Sequence, residues 1–196
     1  MKRLYLLALS ILILLAFAGC GKAPDAQLKQ ATAALQAAQE AGAQQYAPDA
    51  WGRAKQAVDQ LKAELDKQAK RFALFRGYGK AKTLAAQAVK LADQALADAK
   101  TKKTQLRNEV TAMIGELTSS LESARKQLSR LPRIRNAAAL KSSLNTAGRQ
   151  LEQARADLAA GALDNALAVA AKARDGITNV LKAIEAATGG SKSRKK

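Results

Sequence analysis

The chain has 196 residues, enough for one domain or two small ones. It carries 33 Lys and Arg against 16 Asp and Glu, it has a single cysteine, and it lacks histidine. These counts exclude serine–histidine and cysteine–histidine nucleophile systems, an intramolecular disulfide and the usual zinc ligand sets. The formal net charge of +17 favours anionic partners such as lipid phosphates, acidic polymers or nucleic acid.

The first nineteen residues have the order of a secretory signal peptide. Met1–Arg3 is basic, and Leu4–Phe17 is a run of fourteen uncharged residues, shorter than the roughly 20 that a membrane-spanning helix needs. Ala18, Gly19 and Cys20 follow, so small residues precede the cysteine. The alternative is that Leu4–Phe17 is a buried core helix and Cys20 an ordinary core residue.

The end of this segment resembles the bacterial lipobox, with Phe17 at the position where leucine is most common. The resemblance implies that residues 1–19 are removed and that Cys20 carries diacylglycerol and fatty acyl chains such as palmitate. Loss of Lys2 and Arg3 with the signal lowers the net charge from +17 to +15. By resemblance to Gram-negative lipoproteins, Gly21 implies an outer-membrane location facing the periplasm.

Residues 20–24 form a short lipidated tether, and a helical period begins at Asp25. The first helix is expected to end at Gly42, and Pro48 begins a second helix. That helix shows two heptad rows, which extend to Phe72 and Phe75 before the Gly77-Tyr78-Gly79 turn.

A third helical pattern begins near Lys80 and meets no proline until Pro132. A fourth helix then runs to a turn at Gly161, and a fifth begins near Leu163 and ends at Gly189-Gly190. Residues 189–196 are expected to be a basic, disordered tail.

The predicted fold is all-α: an elongated antiparallel arrangement of five helices, because short connections make neighbouring helices antiparallel. Much of the apolar content is alanine, which predicts thin cores between closely packed helices. The favoured architecture is two three-helix bundles, residues 25–100 and 101–188, that share a long third helix. The alternative is one compact five-helix bundle with a break near Lys102. Heptad rows of this kind can also pair between chains as a coiled coil, which leaves the oligomeric state open.

Residues 27–100 resemble a family of alanine-rich helical domains of bacterial lipoproteins whose function is uncharacterised. Four segments carry the resemblance: Ala41-Gly42-Ala43, Tyr46-Ala47-Pro48, Gly77-Tyr78-Gly79 and Leu84-Ala85-Ala86. The family implies no catalytic residue for this chain.

The remaining candidates for chemistry are three carboxylate pairs, Glu64/Asp66, Asp93/Asp98 and Asp157/Asp164. They lie among lysines and arginines on faces predicted to be exposed to solvent, where salt-linked helix surface is the ordinary explanation. No phosphate-binding loop or dinucleotide-binding glycine motif is present in the sequence. We therefore expect no enzyme activity, no cofactor and no metal site.

Two basic clusters lie around predicted turns between helices. The candidate anion-binding residues of the first are Lys67, Lys70, Arg71 and Arg76, and those of the second are Arg125, Arg130, Arg133 and Arg135. The ordinary explanation is solubility and favourable charge at helix C-termini. The functional one is docking to an anionic envelope surface. Nucleic acid is not an expected partner, because the protein is expected to be exported and has few aromatic side chains for stacking.

The sequence therefore predicts a non-catalytic structural or adaptor lipoprotein of the cell envelope, attached to a membrane through Cys20. Its partner is either another envelope protein or, as the alternative function, an anionic polymer or lipid phosphate bound by the basic clusters.

Overall fold

The computed structural model describes residues 24–131, 134 and 136–192, without the side chains of 189–192. Over these residues the chain is all-α, as predicted, with six α-helices, one 3-10 helix and no strand. The α-helices are α1 (Asp25–Glu40), α2 (Ala43–Tyr46), α3 (Pro48–Ala69), α4 (Gly79–Ser129), α5 (Ala137–Ala159) and α6 (Leu163–Lys192), and the 3-10 helix is Ala73–Phe75. The predicted signal peptide, Cys20, Arg133, Arg135 and the end of the predicted tail lie outside the described residues.

Local chemistry accounts for the turn that follows α1. The Gly42 amide donates to the Gln39 carbonyl at 2.8 Å, and Gly42 has a φ of 85°, which closes the helix in the left-handed conformation that glycine adopts without strain. The short helix α2 follows, which the sequence did not predict. Pro48 then occupies the first turn of α3, where its missing amide hydrogen costs nothing, and Asp49 places an acid beside the positive end of that helix.

The internal contacts divide the chain into two compact units, one that ends at Lys102 and one that begins at Lys103. Helix α4 is continuous through residues 101–104, so the break near Lys102 that the compact alternative requires is not observed. Threonine and lysine weaken a helix only slightly compared with glycine or proline, and neither of those breaks this stretch.

The core of the first unit is built largely from alanine. Helices α1, α3 and the first half of α4 contribute to two apolar clusters, and all eight buried residues of one cluster are alanine. In that cluster Ala38 of α1 lies with Ala54 of α3 and Ala95 of α4. In the other, Ala31 lies with Leu61 of α3 and Ala85 of α4. This register makes α1 and α3 antiparallel, and α3 and α4 antiparallel.

The second unit has a core with larger side chains. One cluster joins the second half of α4, α5 and α6, and it includes Ile114, Leu121, Leu144, Leu151 and Ile177. Alanines at Ala147 and Ala173 are also buried there. The two units therefore differ in how much apolar area each helix buries, although both are all-α.

The predicted heptad of the second helix was wrong at its C-terminal end. Helix α3 ends at Ala69, and Phe72 and Phe75 lie beyond it with 71% and 73% of their surface exposed. The helix stops because its last carbonyls find other donors: the Arg71 amide donates to the Gln68 carbonyl, and the Arg76 guanidinium donates to the Ala69 carbonyl.

The predicted end of the last helix was also wrong. Helix α6 continues through Gly189-Gly190 to Lys192. A glycine in a helix costs about 1 kcal/mol relative to alanine, which weakens a helix without ending it. Among the described helices, none combines the length and the apolar composition that crossing a bilayer requires.

We predict that the alanine core of the first unit does not tolerate larger side chains. Ala95 is fully buried, whereas Ala97, on the same helix, is exposed. Ala95→Leu is expected to lower the free energy of unfolding by about 1–3 kcal/mol, because the added atoms force the helices apart. Urea denaturation followed by circular dichroism measures the loss. The matched control Ala97→Leu should stay within about 0.5 kcal/mol of the original chain, and equal effects of the two substitutions would contradict the observed register.

Candidate anionic-surface site

The connection between α3 and α4, residues 70–78, lies at one end of the first unit. Leu28 near the start of α1, Leu65 near the end of α3, and Tyr78 just before α4 all pack against the same apolar cluster. Because α1 and α3 are antiparallel, the end of the unit that carries residues 70–78 is also the end at which α1 begins. We call residues 70–78 the α3–α4 connection.

Hydrogen bonds fix the path of the α3–α4 connection. The Phe75 amide donates to the Phe72 carbonyl at 2.9 Å, which closes the 3-10 turn. The Arg76 side chain reaches back along the chain, donating from Nε to the Arg71 carbonyl and from Nη2 to the Ala69 carbonyl, each at 3.0 Å. Arg76 therefore ties the connection to the C-terminal end of α3.

A buried polar pair anchors the other side of the connection. The Gln68 side-chain amide donates to Oε1 of Glu64 at 2.7 Å, and the Gln68 oxygen accepts from the Gly77 amide at 3.1 Å. Nζ of Lys80 lies 3.6 Å from Oε2 of Glu64. These contacts link the last turn of α3, the connection and the first turn of α4 in one network.

Glu64 was expected on a solvent-exposed face, and this was wrong, because only 8% of its surface is exposed. The buried face of α3 includes Ala57, Val58, Leu61, Glu64 and Gln68, whereas Trp51 and Leu65 are only partly buried. Glu64 therefore faces the core side of the helix, where Gln68 and Lys80 compensate its carboxylate. The other five carboxylates of the predicted pairs are exposed or partly exposed.

The Gln68 hydrogen bond, together with the positive charges of Lys80 and Lys67, holds the pKa of Glu64 below its ordinary value of 4.5. Burial acts in the opposite direction and is outweighed. Glu64 is thus a carboxylate that stays ionised and organises the end of the unit, rather than one poised to exchange a proton near neutral pH.

Three large apolar side chains of the α3–α4 connection face solvent. Phe72, Leu74 and Phe75 are 71%, 69% and 73% exposed. The two phenyl rings are tilted by 47° with centroids 6.5 Å apart, so they form one small patch. The heptad pattern of the sequence concealed this feature, because it placed both phenylalanines on the buried face of a helix that in fact ends before them.

The four cations of the first predicted cluster are all exposed at this end of the unit. They are Lys67 in the last turn of α3, Lys70 directly after it, and Arg71 and Arg76 in the connection. The negative end of the α3 dipole accounts for cations at these positions. It does not account for Lys80 and Lys82, which lie in the first turn of α4, where the helix dipole disfavours positive charge and this described turn has no acidic residue.

The second predicted cluster is described only in part. Arg125 and Arg130 are exposed on and just after α4, whereas Arg133 and Arg135 lie outside the described residues. A Cβ atom at Gly148 would lie 3.0 Å from Nη2 of Arg125, so this guanidinium covers α5. Arg125, together with Arg149 and Arg155 of α5, lines an open groove between the two helices.

The groove contains compensating groups as well as arginines. Arg155 donates to Oγ1 of Thr118 at 2.7 Å and also pairs with Glu152. Glu122 lines the same groove. Part of its positive charge is therefore balanced within the protein, and the arginines also serve to join α4 to α5. No group of three or more carboxylate or cysteine side chains that could hold a metal occurs in the described part of the chain.

We predict that Glu64→Gln destabilises the protein in a pH-dependent way. A depressed pKa stabilises the fold above the ordinary carboxyl pKa, and this contribution is lost as the pH falls through the lowered value. The variant keeps a hydrogen-bond acceptor for Gln68 but loses the charge facing Lys80. Urea midpoints should therefore differ most at pH 7, and the difference should shrink as the pH approaches 3. A difference independent of pH would show that shape rather than charge matters at this position.

Comparison with known proteins bears on the first half of the chain. Neither a curated protein nor a solved structure matches the chain significantly. Residues 26–110 match the model of one protein family, described as a domain of unknown function (DUF4398). The match begins at the start of α1 and extends past Lys102 into the second unit, so it covers the alanine core and the α3–α4 connection.

Proposed function

We propose that this protein is a non-catalytic lipoprotein of the bacterial cell envelope, a helical module that acts as a structural or adaptor component. Lipid on Cys20 attaches it to a membrane, and residues 21–24 connect that anchor to α1. Gly21, which follows the cysteine, favours a location at the outer membrane, facing the periplasm. Its proposed role is to hold a partner of the cell envelope in place, and not to catalyse a reaction.

The observation that carries this proposal is the order of residues 1–20: a basic start, an apolar segment too short to span a bilayer, small residues, and the single cysteine of the chain. The absence of histidine from the sequence supports a non-catalytic role, because it removes the most common general base. The exposed faces of both units leave long helix surfaces available for a partner.

The expected product in a Gram-negative host is a chain that begins at Cys20 and carries a diacylglycerol group and an additional acyl chain. Mass spectrometry of the N-terminal peptide measures this directly. Several acyl chains bind a bilayer firmly, at about 0.8 kcal/mol per buried CH₂, so the protein should stay with membranes through a high-salt wash.

The matched control replaces residues 1–20 with a secretory signal that is cut by the general signal peptidase, so that Gly21 becomes the first residue. A simple Cys20→Ala change is less informative, because an uncut Leu4–Phe17 segment would itself hold the chain at a membrane. The control protein should be released by high salt and should keep its helical circular dichroism spectrum. An unmodified thiol on a chain that still begins at Met1 would overturn the proposal.

A second candidate function is binding of an anionic envelope polymer or of lipid phosphates through the basic clusters. The observation that favours it is Lys82 in the first turn of α4, because the helix dipole does not explain a positive charge there, whereas Lys80 in the same turn faces Glu64. With Lys67, Lys70 and Arg71 nearby in sequence and exposed at the same end of the unit, these side chains offer several phosphate contacts.

Retention on a sulfated polysaccharide resin tests this second function. Replacing Lys67, Lys70 and Arg71 together with Gln should lower the salt concentration needed for elution. The matched control replaces Arg53, Lys55 and Lys62, three exposed cations on the body of α3. Both variants lose three charges, so equal elution would mean that net charge alone drives retention and that the cluster is not a site.

A further inference from the structure

We infer that the α3–α4 connection is a membrane-insertion element: Phe72, Leu74 and Phe75 enter the headgroup region of an anionic phospholipid bilayer while the flanking cations contact lipid phosphates. The inference rests on the proposed function for the position of the lipid anchor. It adds a second point of attachment to the membrane, at the end of the first unit where α1 begins.

The first observation is the apolar patch itself. Phe72, Leu74 and Phe75 are the only large hydrophobic residues among those described that are exposed rather than buried or partly buried. They occur within four consecutive positions, whereas exposed apolar residues on soluble proteins are usually scattered singly. Aromatic and leucine side chains of this kind bury well at the boundary between headgroups and acyl chains.

The second observation is that the patch is held outward by an ordered backbone. The 3-10 turn places both phenyl rings on one small surface, and Arg76 and Gln68 tie the two sides of the connection to α3. The side chains therefore do not need to be released from the core in order to insert. A preorganised element loses little conformational entropy when it binds.

The third observation is charge complementarity. The sequence has no acidic residue between Asp66 and Asp93, and it places seven cations there. Lys70, Arg71 and Arg76 immediately flank the apolar residues, and Lys80 and Lys82 follow in α4. A basic rim around an apolar tip matches an anionic bilayer, whose phosphates lie just outside the acyl chains.

The fourth observation is the position of the connection in the first unit. It lies at the end where α1 begins, and Pro24, the residue before α1, is only four residues after Cys20. Four residues of extended chain span at most about 14 Å. Acyl chains on Cys20 would therefore keep this end of the unit close to the bilayer, where the connection can reach it.

The test uses the chain from Gly21 to Lys196, which lacks Cys20 but keeps every core residue of the described clusters, from Leu28 to Ile184. Binding to vesicles of equal parts phosphatidylglycerol and phosphatidylcholine is measured by co-sedimentation. Phe72→Ser/Leu74→Ser/Phe75→Ser should bind at least about tenfold more weakly, because the inserted apolar area is lost. All three positions are exposed, so the helical spectrum should not change.

Two double variants, each of which removes two positive charges, give a matched comparison. Lys70→Gln/Arg71→Gln should weaken binding by roughly twenty-five-fold, at about fivefold for each cation near the surface. Arg53→Gln/Lys62→Gln removes the same charge from the body of α3 and should weaken binding by less than about threefold, because Lys62 precedes Lys70 by about 12 Å along the helix axis, more than a Debye length. Vesicles of phosphatidylcholine alone should bind the original chain weakly.

Insertion itself is read from tryptophan fluorescence. Phe75→Trp in a Trp51→Phe background should be quenched by phospholipids with brominated acyl chains. The original Trp51 packs against the alanine cluster at the opposite end of the first unit, so in the original chain it should not be quenched. Quenching of Trp51 but not of Trp at position 75 would mean that the other end contacts the membrane and would overturn the inference.

Two other results would also overturn it. Binding of the triple serine variant equal to that of the original chain would show that the apolar residues do not insert. A dimer of the original chain in analytical ultracentrifugation that the triple serine variant abolishes, without vesicle binding, would assign the patch to a second copy of the chain. Because the tested chain has no Cys20, none of these outcomes bears on lipid attachment, which the N-terminal mass spectrum decides separately.

Discussion

Close contact between alanine faces is the constraint on which the first unit depends. A methyl group lets two helices approach closely, but it buries little apolar area, so stability has to come from contact repeated along the whole length of the helices. At Ala38, Ala54 and Ala95 the three helices meet in a cluster whose buried members are all alanine. Such a core has no space for large side chains. The second unit depends less on this constraint because leucine and isoleucine occupy its core.

The end of the first unit that carries the α3–α4 connection is polar inside and apolar outside. Where α3 ends, the core position is occupied by Glu64 and Gln68 in place of leucine, and their hydrogen bonds hold the α3–α4 connection in place. Phe72 and Phe75 remain in solvent beside Arg71 and Arg76. This apolar patch lowers solubility and adds nothing to the core. A binding partner that covers it would account for its exposure. The proposed membrane contact accounts for the patch, the cations and the start of α1 lying at the same end of the unit.

The proposed function rests on the order of residues 1–20 and not on any reactive group. The basic clusters, the groove lined by Arg125 and Arg149, and the exposed faces of the helices all favour attachment to surfaces or partners. The DUF4398 match covers residues 26–110, which include the α3–α4 connection but leave most of the second unit outside.

The sequence by itself determined the helical class, the start of α3 at Pro48 and the turns at Gly42 and Gly161, because these depend on local periodicity and on the backbone preferences of proline and glycine. It left open whether α4 continues through residues 101–104, and the structure shows that it does. Only the tertiary structure decided which face of α3 is buried and where that helix ends. Both heptad rows of α3 face the core, at Val58 in one row and at Ala54 and Leu61 in the other, and local periodicity does not contain the contacts with α1 and α4 that complete this face. The packed structure also buries Glu64, ends the helix at Ala69 and leaves the phenylalanines in solvent, so the candidate site depends on packing between helices distant in sequence.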